Sequence, residues 1–284
     1  MFPTLFRIGP FVVGSYGAAM VIAVIAGILV CRPRARRFHV DQHAVIEMAI
    51  VIMAAAIIGS RAWYIALHLH EFSGNWLNAV NPFQSDRFGM AGLAMNGGVL
   101  LVFIALMLYA RLKKISFFLL GDIIAPGFLL GAGIQRIAGC FLNGCCFGVP
   151  TNSAIGVTFP AGSVAAAYFP GIALWPTQIF ASILGFAGFI LVLRLERWYR
   201  FHGYTLGLVF IYYPLSRFFV DQFRYYPPGQ ILYTIGPFKI TCDHILLSLI
   251  VLIITVMWLK AWFRISGMPP ENEANCSSSP IETG

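Results

Sequence analysis

The sequence carries little charge for its length. Only 11% of its 284 residues are Asp, Glu, Lys or Arg, whereas 59% are hydrophobic and the mean hydropathy is +0.79. A soluble globular domain is excluded, because such domains carry about 25% charged residues. Disorder is excluded as well, since 25 Phe, 11 Tyr and 6 Trp make the chain too apolar to stay solvated. Six cysteines are too few for a disulfide scaffold in a chain of this length, and the composition indicates a membrane protein.

Seven apolar runs approach the length of about 20 residues that a helix needs to cross the hydrocarbon core. Two of them, the third and the fifth, are short and need flanking residues to span. The sequence therefore predicts an all-α integral membrane protein with seven transmembrane helices. The runs are Phe11–Cys31, Ala44–Ala66, Gly97–Tyr109, Phe117–Phe141, Gln178–Val192, Leu206–Phe223 and His244–Leu259.

The basic residues predict the orientation of these helices. Twelve of the 19 Lys and Arg residues lie directly after the first, third, fifth and seventh runs. Because basic loops stay on the cytoplasmic side, we expect the N-terminus outside and the C-terminus in the cytoplasm. The net charge of +8 is then a topology signal and does not indicate nucleic-acid binding. Residues 1–266 form the predicted membrane domain, and residues 267–284, rich in Pro, Ser and Glu, a disordered cytoplasmic tail.

Two long connections on the predicted outer side, His68–Asn96 and Cys145–Pro176, carry turn residues and aromatics but little charge. We expect an extracytoplasmic head to form there. Trp76 and Trp175 lie in these connections, and the simplest interpretation of both is an aromatic belt at the membrane interface.

Four charged residues lie inside the apolar runs: Arg61, Asp122, Arg136 and Arg217. Each costs about 2.5–3.5 kcal/mol at the centre of a membrane helix, so each needs a partner or a wet cavity. The excess of arginine favours a cavity that binds a lipid phosphate, because guanidinium groups bind phosphate through two parallel hydrogen bonds.

A purely structural alternative exists for part of this set. Arg217, Asp221 and Arg224 follow the spacing i, i+4, i+7, which places them on one helical face where they can form an intrahelical ion pair. Asp122, Asp221 and Arg224 are accordingly predicted to be structural residues.

A glycine-rich stretch, Gly131–Gly148, contains Arg136 and three cysteines. Glycines allow close helix packing and then an irregular turn, in which Cys140, Cys145 and Cys146 are expected. Three interpretations stay open for these cysteines: a disulfide from Cys140, free packed thiols, or a metal or redox centre. The spacing is not a standard zinc motif, and no metal or cofactor is predicted.

Seven stretches in this order resemble the bacterial prolipoprotein diacylglyceryl transferase family, over nearly the whole membrane portion. The predicted topology also agrees with that family's seven helices and outer N-terminus. The stretches are Ile8–Gly17, Gly59–Tyr64, Gly97–Gly98, Asp122–Pro126, Arg136–Asn143, Pro176–Gln178 and Tyr213–Arg224.

The resemblance implies an enzyme of the bacterial inner membrane that takes no cofactor. It would transfer the diacylglyceryl group of phosphatidylglycerol to the cysteine thiol in the signal-peptide region of a prolipoprotein, with release of glycerol phosphate. Arg136, Arg217 and Asn96 are then the predicted catalytic residues. Lipid phosphate and headgroup are expected to contact Arg61, Tyr16, Tyr64, Asn143, Tyr213, Gly97 and Gly98.

The sequence departs from the family at the positions that handle protons. Asn96 stands where the family has His before two glycines, Cys140 and Cys145 replace an Asn and a Glu, and Ala181 stands where the family often has Glu. An asparagine amide is no base, so the base is unidentified. His68, His70 and His244 near the outer rim are candidates, although solvated rim residues are the simpler interpretation. The alternative function is a family relative that binds lipid, or serves as an accessory membrane protein, without the transferase activity.

Overall fold

The computed structural model of the chain describes residues 4–8, 11–72, 83–84, 87–88, 95–227, 231–235 and 238–266. Within these ranges the protein is predominantly helical, and all helices except two short ones have 18 residues or more. The helices are α1 (Ser15–Arg37), α2 (Gln42–Leu67), α3 (Leu69–Phe72), α4 (Met95–Leu112), α5 (Phe117–Ile134), α6 (Val164–Tyr168), α7 (Thr177–Leu195), α8 (Tyr204–Phe223) and α9 (Cys242–Ser266).

Short antiparallel strand pairs accompany the helices. The pair β1–β2 leads into α1, with Thr4 opposite Gly14 and one register shift, and β7–β8 leads into α9 in a similar way. The strands are β1 (Thr4–Ile8), β2 (Phe11–Gly14), β3 (Phe83–Gln84), β4 (Arg87–Phe88), β5 (Val157–Thr158), β6 (Ala173–Leu174), β7 (Ile231–Ile235) and β8 (Phe238–Thr241).

Among the residues that the structure describes, four helical segments are long and apolar enough to cross a membrane. They are Ser15–Arg37, Gln42–Leu67, Phe117–Phe141 and Thr177–Trp198, and two shorter apolar segments are Asn96–Leu112 and Val251–Lys260. Large apolar side chains project outward from these helices, among them Leu29, Ile50, Val99 and Ile183. Such outward apolar faces are stable in lipid and not in water, so the protein is a helical membrane protein.

The long helices alternate in direction, so that one end of the molecule, here called the base end, collects the last residues of α1 and α4 and the first residues of α2 and α5. Their side chains form one buried apolar cluster that includes Cys31, Met48, Tyr109 and Leu120. Trp258 in the second half of α9 donates to the carbonyl oxygen of Tyr204 at the start of α8, over 3.1 Å. The base end therefore also gathers α8 and α9.

Buried polar groups lock the base end together. Arg34 of α1 forms an ion pair with Glu196, which directly follows α7, and it also donates to the carbonyl oxygens of Asp122 and Ile123 over 2.7 and 3.1 Å. The Asp122 carboxylate accepts the backbone N–H groups of Gly203 (2.6 Å) and Leu206 (2.8 Å). Asp122 thus caps the N-terminus of α8, whose first N–H groups lack partners within the helix.

The opposite end, here called the head end, contains the segment between α5 and α7. This segment folds around a small apolar core of Phe147, Phe159, Ala165 and Leu174. Its backbone is tied to the end of α8, since Val149 N–H donates to the Phe223 carbonyl over 2.9 Å. The connection Cys145–Pro176 is thus a folded head, and its side of the membrane stays a prediction.

The structure corrects several details expected from the sequence. The fourth run is not one α-helix, because α5 ends at Ile134 and continues as a π-helical turn to Phe141. Cys140 consequently lies within this turn and not in the loop after it. Trp175 is half-buried against the rings of Phe180 and Phe223, at 6.0 and 5.3 Å, and its place in an interfacial belt stays a prediction. Trp76 and the tail 267–284 lie outside the described residues.

Candidate functional site: an arginine cleft and a thiol cluster

A π-helical turn positions Arg136. The turn spans Gln135–Phe141 and continues α5 without a break. Its wider backbone leaves the Gln135 side chain over Gly139, where a Cβ atom would lie 2.5 Å from the Gln135 amide nitrogen. Insertions of this kind occur frequently at functional sites.

Helices α5 and α7 cross backbone to backbone just before this turn. Gly185 of α7 faces Gly133 of α5, and a Cβ atom on Gly185 would lie 2.8 Å from the Gly133 Cα atom. Ser182 closes the crossing by donating to the Gly133 carbonyl oxygen over 2.8 Å. Small residues at membrane helix crossings permit such an approach, and the approach fixes the start of the π-helical turn relative to α7.

A cleft opens between α5, the π-helical turn, α7 and α8. It is lined by two arginines from different elements, Arg136 and Arg217, together with Tyr213 and Ser216 of α8. We call it the arginine cleft. Its lining residues are Leu129, Ala132, Arg136, Ala181, Gly185, Tyr213, Ser216, Arg217 and Val220.

One carboxylate serves two of the arginines at the head end. The Arg217 Nε atom lies 3.0 Å from Asp221 Oδ2, and an Arg224 Nη atom lies 3.9 Å from Asp221 Oδ1. The intrahelical pair expected from the spacing therefore exists. Since it offsets one positive charge among Arg136, Arg217 and Arg224, the described residues leave this region cationic, which suits an anionic ligand.

Three thiols converge next to the cleft. The Sγ atoms of Cys140, Cys145 and Cys146 all lie within 4.8 Å of one another, and the three are free thiols. We call them the thiol cluster. Arg224 Nη2 lies 3.3 Å from Cys146 Sγ, and Arg136 Nη1 lies 4.0 Å from Cys140 Sγ. Hydrogen bonds from the Cys140 and Cys145 thiols, together with the Arg224 and Arg136 guanidinium groups, lower the pKa of the Cys146 thiol.

Other residues predicted for the site lie on the pair of helices α2 and α4. Arg61 is buried in α2, with its guanidinium 5.7 Å from the Tyr64 ring centre, and Asn96 is exposed at the start of α4. Gly97 and Gly98 are buried where α4 meets α2, and a Cβ atom on Gly97 would collide with the Gly59 carbonyl and with Trp63. In the structure both glycines bring the two helices together.

Two predicted ligand contacts lie near the thiol cluster. Tyr16 is exposed at the start of α1, and its carbonyl oxygen lies 3.5 Å from the Gln135 amide nitrogen. Asn143 is half-buried directly after the π-helical turn.

The three histidines considered as bases differ in their surroundings. His68 stacks on the Tyr64 ring with 4.2 Å between the ring centres, and His70 is exposed. The side chain of His244 lies outside the described residues.

Sequence reasoning missed Ser216 and Val220 as cleft residues. Both could have been found from helical spacing, because Tyr213, Ser216, Arg217 and Val220 follow the pattern i, i+3, i+4, i+7 on one face of α8. The base-end ion pair of Arg34 and Glu196 was also missed, since Arg34 belongs to a basic run and looked like a topology signal. Only the packing of α1 against α5 and the end of α7 reveals it.

The fold and the cleft define a helical membrane protein with a cationic site between its helices. A comparison with protein families matches residues 3–261 to the model of prolipoprotein diacylglyceryl transferases. The chain belongs to this family, which confirms the resemblance recognised in its sequence.

Individual relatives agree with this assignment. The chain is 31% identical to a phosphatidylglycerol–prolipoprotein diacylglyceryl transferase of Bacillus cytotoxicus, over 77% of this chain and 79% of the relative. It is 30% identical to the second enzyme of that name in Clostridium perfringens, over 76% of this chain and 81% of the relative. A Bacillus mycoides enzyme with the same name is 30% identical over 77% and 79%.

Proposed function

We propose that this protein transfers the diacylglyceryl group of phosphatidylglycerol to the cysteine thiol of a prolipoprotein. The observation that carries this function is the arginine cleft, in which Arg136 and Arg217 approach one space from two different elements. Two guanidinium groups are suited to a phosphodiester, because each can donate two parallel hydrogen bonds to phosphate oxygens. The names of the relatives supply the two substrates.

The helix surfaces beside the cleft suit the acyl chains of a phospholipid. Exposed apolar side chains on the same helices, Phe128, Ile183, Leu215 and Phe219, offer outward surfaces for the acyl chains. We infer that the headgroup enters the cleft while the acyl chains stay among the surrounding lipids.

In the proposed reaction, the thiolate of the acceptor cysteine attacks the glycerol carbon that bears the phosphate ester. A carbon–sulfur bond forms, the carbon–oxygen bond to phosphate breaks, and glycerol phosphate leaves. Negative charge grows on the departing phosphate, so fixed guanidinium groups stabilise the transition state more than the bound lipid. Tyr213 and Ser216 provide hydroxyl groups beside them.

The thiol proton needs an acceptor. Asn96 cannot serve, since an amide is not basic, whereas the departing phosphate can take the proton itself. Under this proposal Asn96 orients the glycerol or a water molecule by hydrogen bonding, and the rate depends on how much of the acceptor thiol is ionised.

We further propose seven membrane spans in the bacterial inner membrane, with the base end in the cytoplasm and the head end outside. Alternation of the long helices supports this arrangement, as does the concentration of basic residues at the base end. The arginine cleft then opens at the outer leaflet, where a translocated signal peptide presents its cysteine.

A direct assay tests the proposed activity. The purified chain is placed in vesicles that contain phosphatidylglycerol labelled in its diacylglyceryl group, together with a lipobox peptide. We expect label on the peptide and release of glycerol phosphate. A peptide with serine in place of the lipobox cysteine, and vesicles that contain only phosphatidylethanolamine, are matched controls in which no labelled peptide should form. Binding of phosphatidylglycerol without labelled peptide would replace the enzyme with a lipid-binding relative of the family.

A further inference from the structure

We propose that Cys140, Cys145 and Cys146 form a binding site for one thiophilic metal ion, of the class that includes monovalent copper and zinc. The three Sγ atoms lie within 4.8 Å of one another. Three sulfur ligands about 2.3 Å from a shared ion lie about 4.0 Å apart in a trigonal site, so side-chain rotations that move the sulfur atoms by less than about 1 Å would bring all three thiols to one ion.

The backbone is built to bring these thiols together. Cys140 is buried in the π-helical turn, and the chain then reverses through Gly144 and Cys146, which have φ angles of +69° and +59°. A positive φ is unusual for cysteine. Such a conformation costs free energy and persists where the surrounding structure enforces it, often at functional sites. The reversal places Cys145 and Cys146 beside Cys140.

Helix α7 holds the reversed segment in place. Thr177 Oγ1 donates to the Cys146 carbonyl oxygen over 2.6 Å, and Gln178 Nε2 donates to the Cys145 carbonyl oxygen over 2.7 Å. Both donors are buried. Because these bonds fix the main chain of two of the three ligands, the site is largely preorganised, and little conformational entropy is lost when an ion binds.

The charges around the cluster fit metal thiolates. Thiols lose their protons on binding a metal ion, so three bound thiolates carry more negative charge than a monovalent or divalent ion offsets. Arg224 at 3.3 Å from Cys146 and Arg136 at 4.0 Å from Cys140 supply compensating positive charge. Sulfur ligands select soft ions over magnesium or calcium.

Exposure gives the ion a route to the site. Cys145 and Cys146 are half-buried, whereas Cys140 is buried, so an ion can enter past the first two thiols. A three-coordinate site of this kind suits monovalent copper, and zinc would need a water molecule as fourth ligand. None of the three thiols lines the arginine cleft, so the metal site is separate from the cleft, although Arg136 lies next to both.

Metal titration of the full-length chain in detergent tests the proposal. The protein is reduced, stripped with a chelator and titrated anaerobically with monovalent copper, and separately with zinc, against a coloured competing chelator. We expect one ion per chain. Cys145→Ser and Cys140→Ser should each weaken metal binding by at least about tenfold. Mutation of a residue that only supports a metal ligand already lowers metal affinity by about that much. Cys31→Ser, which removes a buried thiol of α1 outside the cluster, should bind as the unaltered chain does.

X-ray absorption of the metal-loaded, unaltered chain keeps the test decisive if a cysteine variant does not fold. A shell of three sulfur atoms around the ion supports the site, and a shell of nitrogen and oxygen atoms overturns it. The proposal is also overturned if the stripped chain binds neither ion, or if the cluster variants bind with unchanged affinity. A third contrary result is a disulfide within the cluster that forms under mild oxidation even when metal is present, as measured by counting free thiols. The ion that binds with the higher affinity, monovalent copper or zinc, is the one that the site prefers.

Discussion

Arg217 offers the sharpest test of the arginine cleft, because its guanidinium both lines the cleft and pairs with Asp221 at 3.0 Å. Replacing Arg217 with Ala should therefore have two separate consequences. Loss of a charged contact to the departing phosphate is worth about 1.5–3 kcal/mol, which corresponds to roughly a tenfold to hundredfold lower rate. Loss of the ion pair leaves the Asp221 carboxylate, 2% exposed, with the more distant Arg224 at 3.9 Å. Removal of one partner from a buried pair costs about 3–5 kcal/mol of stability.

The double variant Arg217→Ala/Asp221→Asn separates these consequences. A neutral amide at position 221 removes the buried charge that has lost Arg217, so thermal stability in detergent should recover most of the loss. The transfer rate per folded molecule should stay low. Asp221→Asn alone should keep most of the activity, since Arg217 is still present. Arg217→Lys should recover only part of the rate, because an ammonium group cannot donate two parallel hydrogen bonds.

The assay is the vesicle transfer reaction described above, with protein folding followed by thermal denaturation of the same samples. Recovery of full activity in the double variant would refute the role of Arg217 in phosphate binding and leave it as a structural partner of Asp221. Arg197→Ala at the base end, where the guanidinium lies 4.3 Å from the Trp198 ring centre, is the matched control for removal of an arginine and should leave the rate unchanged.

Four other predictions concern packing, proton transfer, the base end and topology. Gly185→Ala should lower thermal stability and activity together, because its Cβ would lie 2.8 Å from the backbone of α5; unchanged melting would show that the crossing can relax. Asn96→His should raise the transfer rate near neutral pH, and the unaltered chain should become faster as pH rises towards the acceptor thiol pKa of about 8.5; a flat pH profile with an inactive variant would contradict this. Glu196→Gln should destabilise the protein by about 3–5 kcal/mol by leaving the Arg34 charge unpaired, without changing the rate per folded molecule, as measured by denaturation and transfer assays side by side. Reporter fusions in the basic loops of the base end should indicate the cytoplasm and a fusion at Ser163 the outside, and a cytoplasmic signal at Ser163 would overturn the orientation.

The amino-acid sequence was sufficient for the class of protein and for the family. Whether a segment enters the membrane depends on its own hydropathy and on the basic residues beside it, and not on tertiary packing. The helical membrane character could therefore be predicted from the sequence. The pair of Arg217 and Asp221 could also be predicted, because a separation of four residues on one helix fixes the distance between the two side chains.

Tertiary structure decided which charged residues share a site. Arg136 and Arg217 are 81 residues apart in the sequence, and they line one cleft only because Gly133 and Gly185 let α5 and α7 approach while a π-helical turn reorients the chain. A π-helical insertion has no sequence signature of its own, since it trades one hydrogen-bond pattern for another within the same apolar run. The buried position of Arg34 beside Glu196, and the convergence of three thiols through a positive φ at Cys146, likewise depend on contacts between distant segments, which local sequence patterns do not encode.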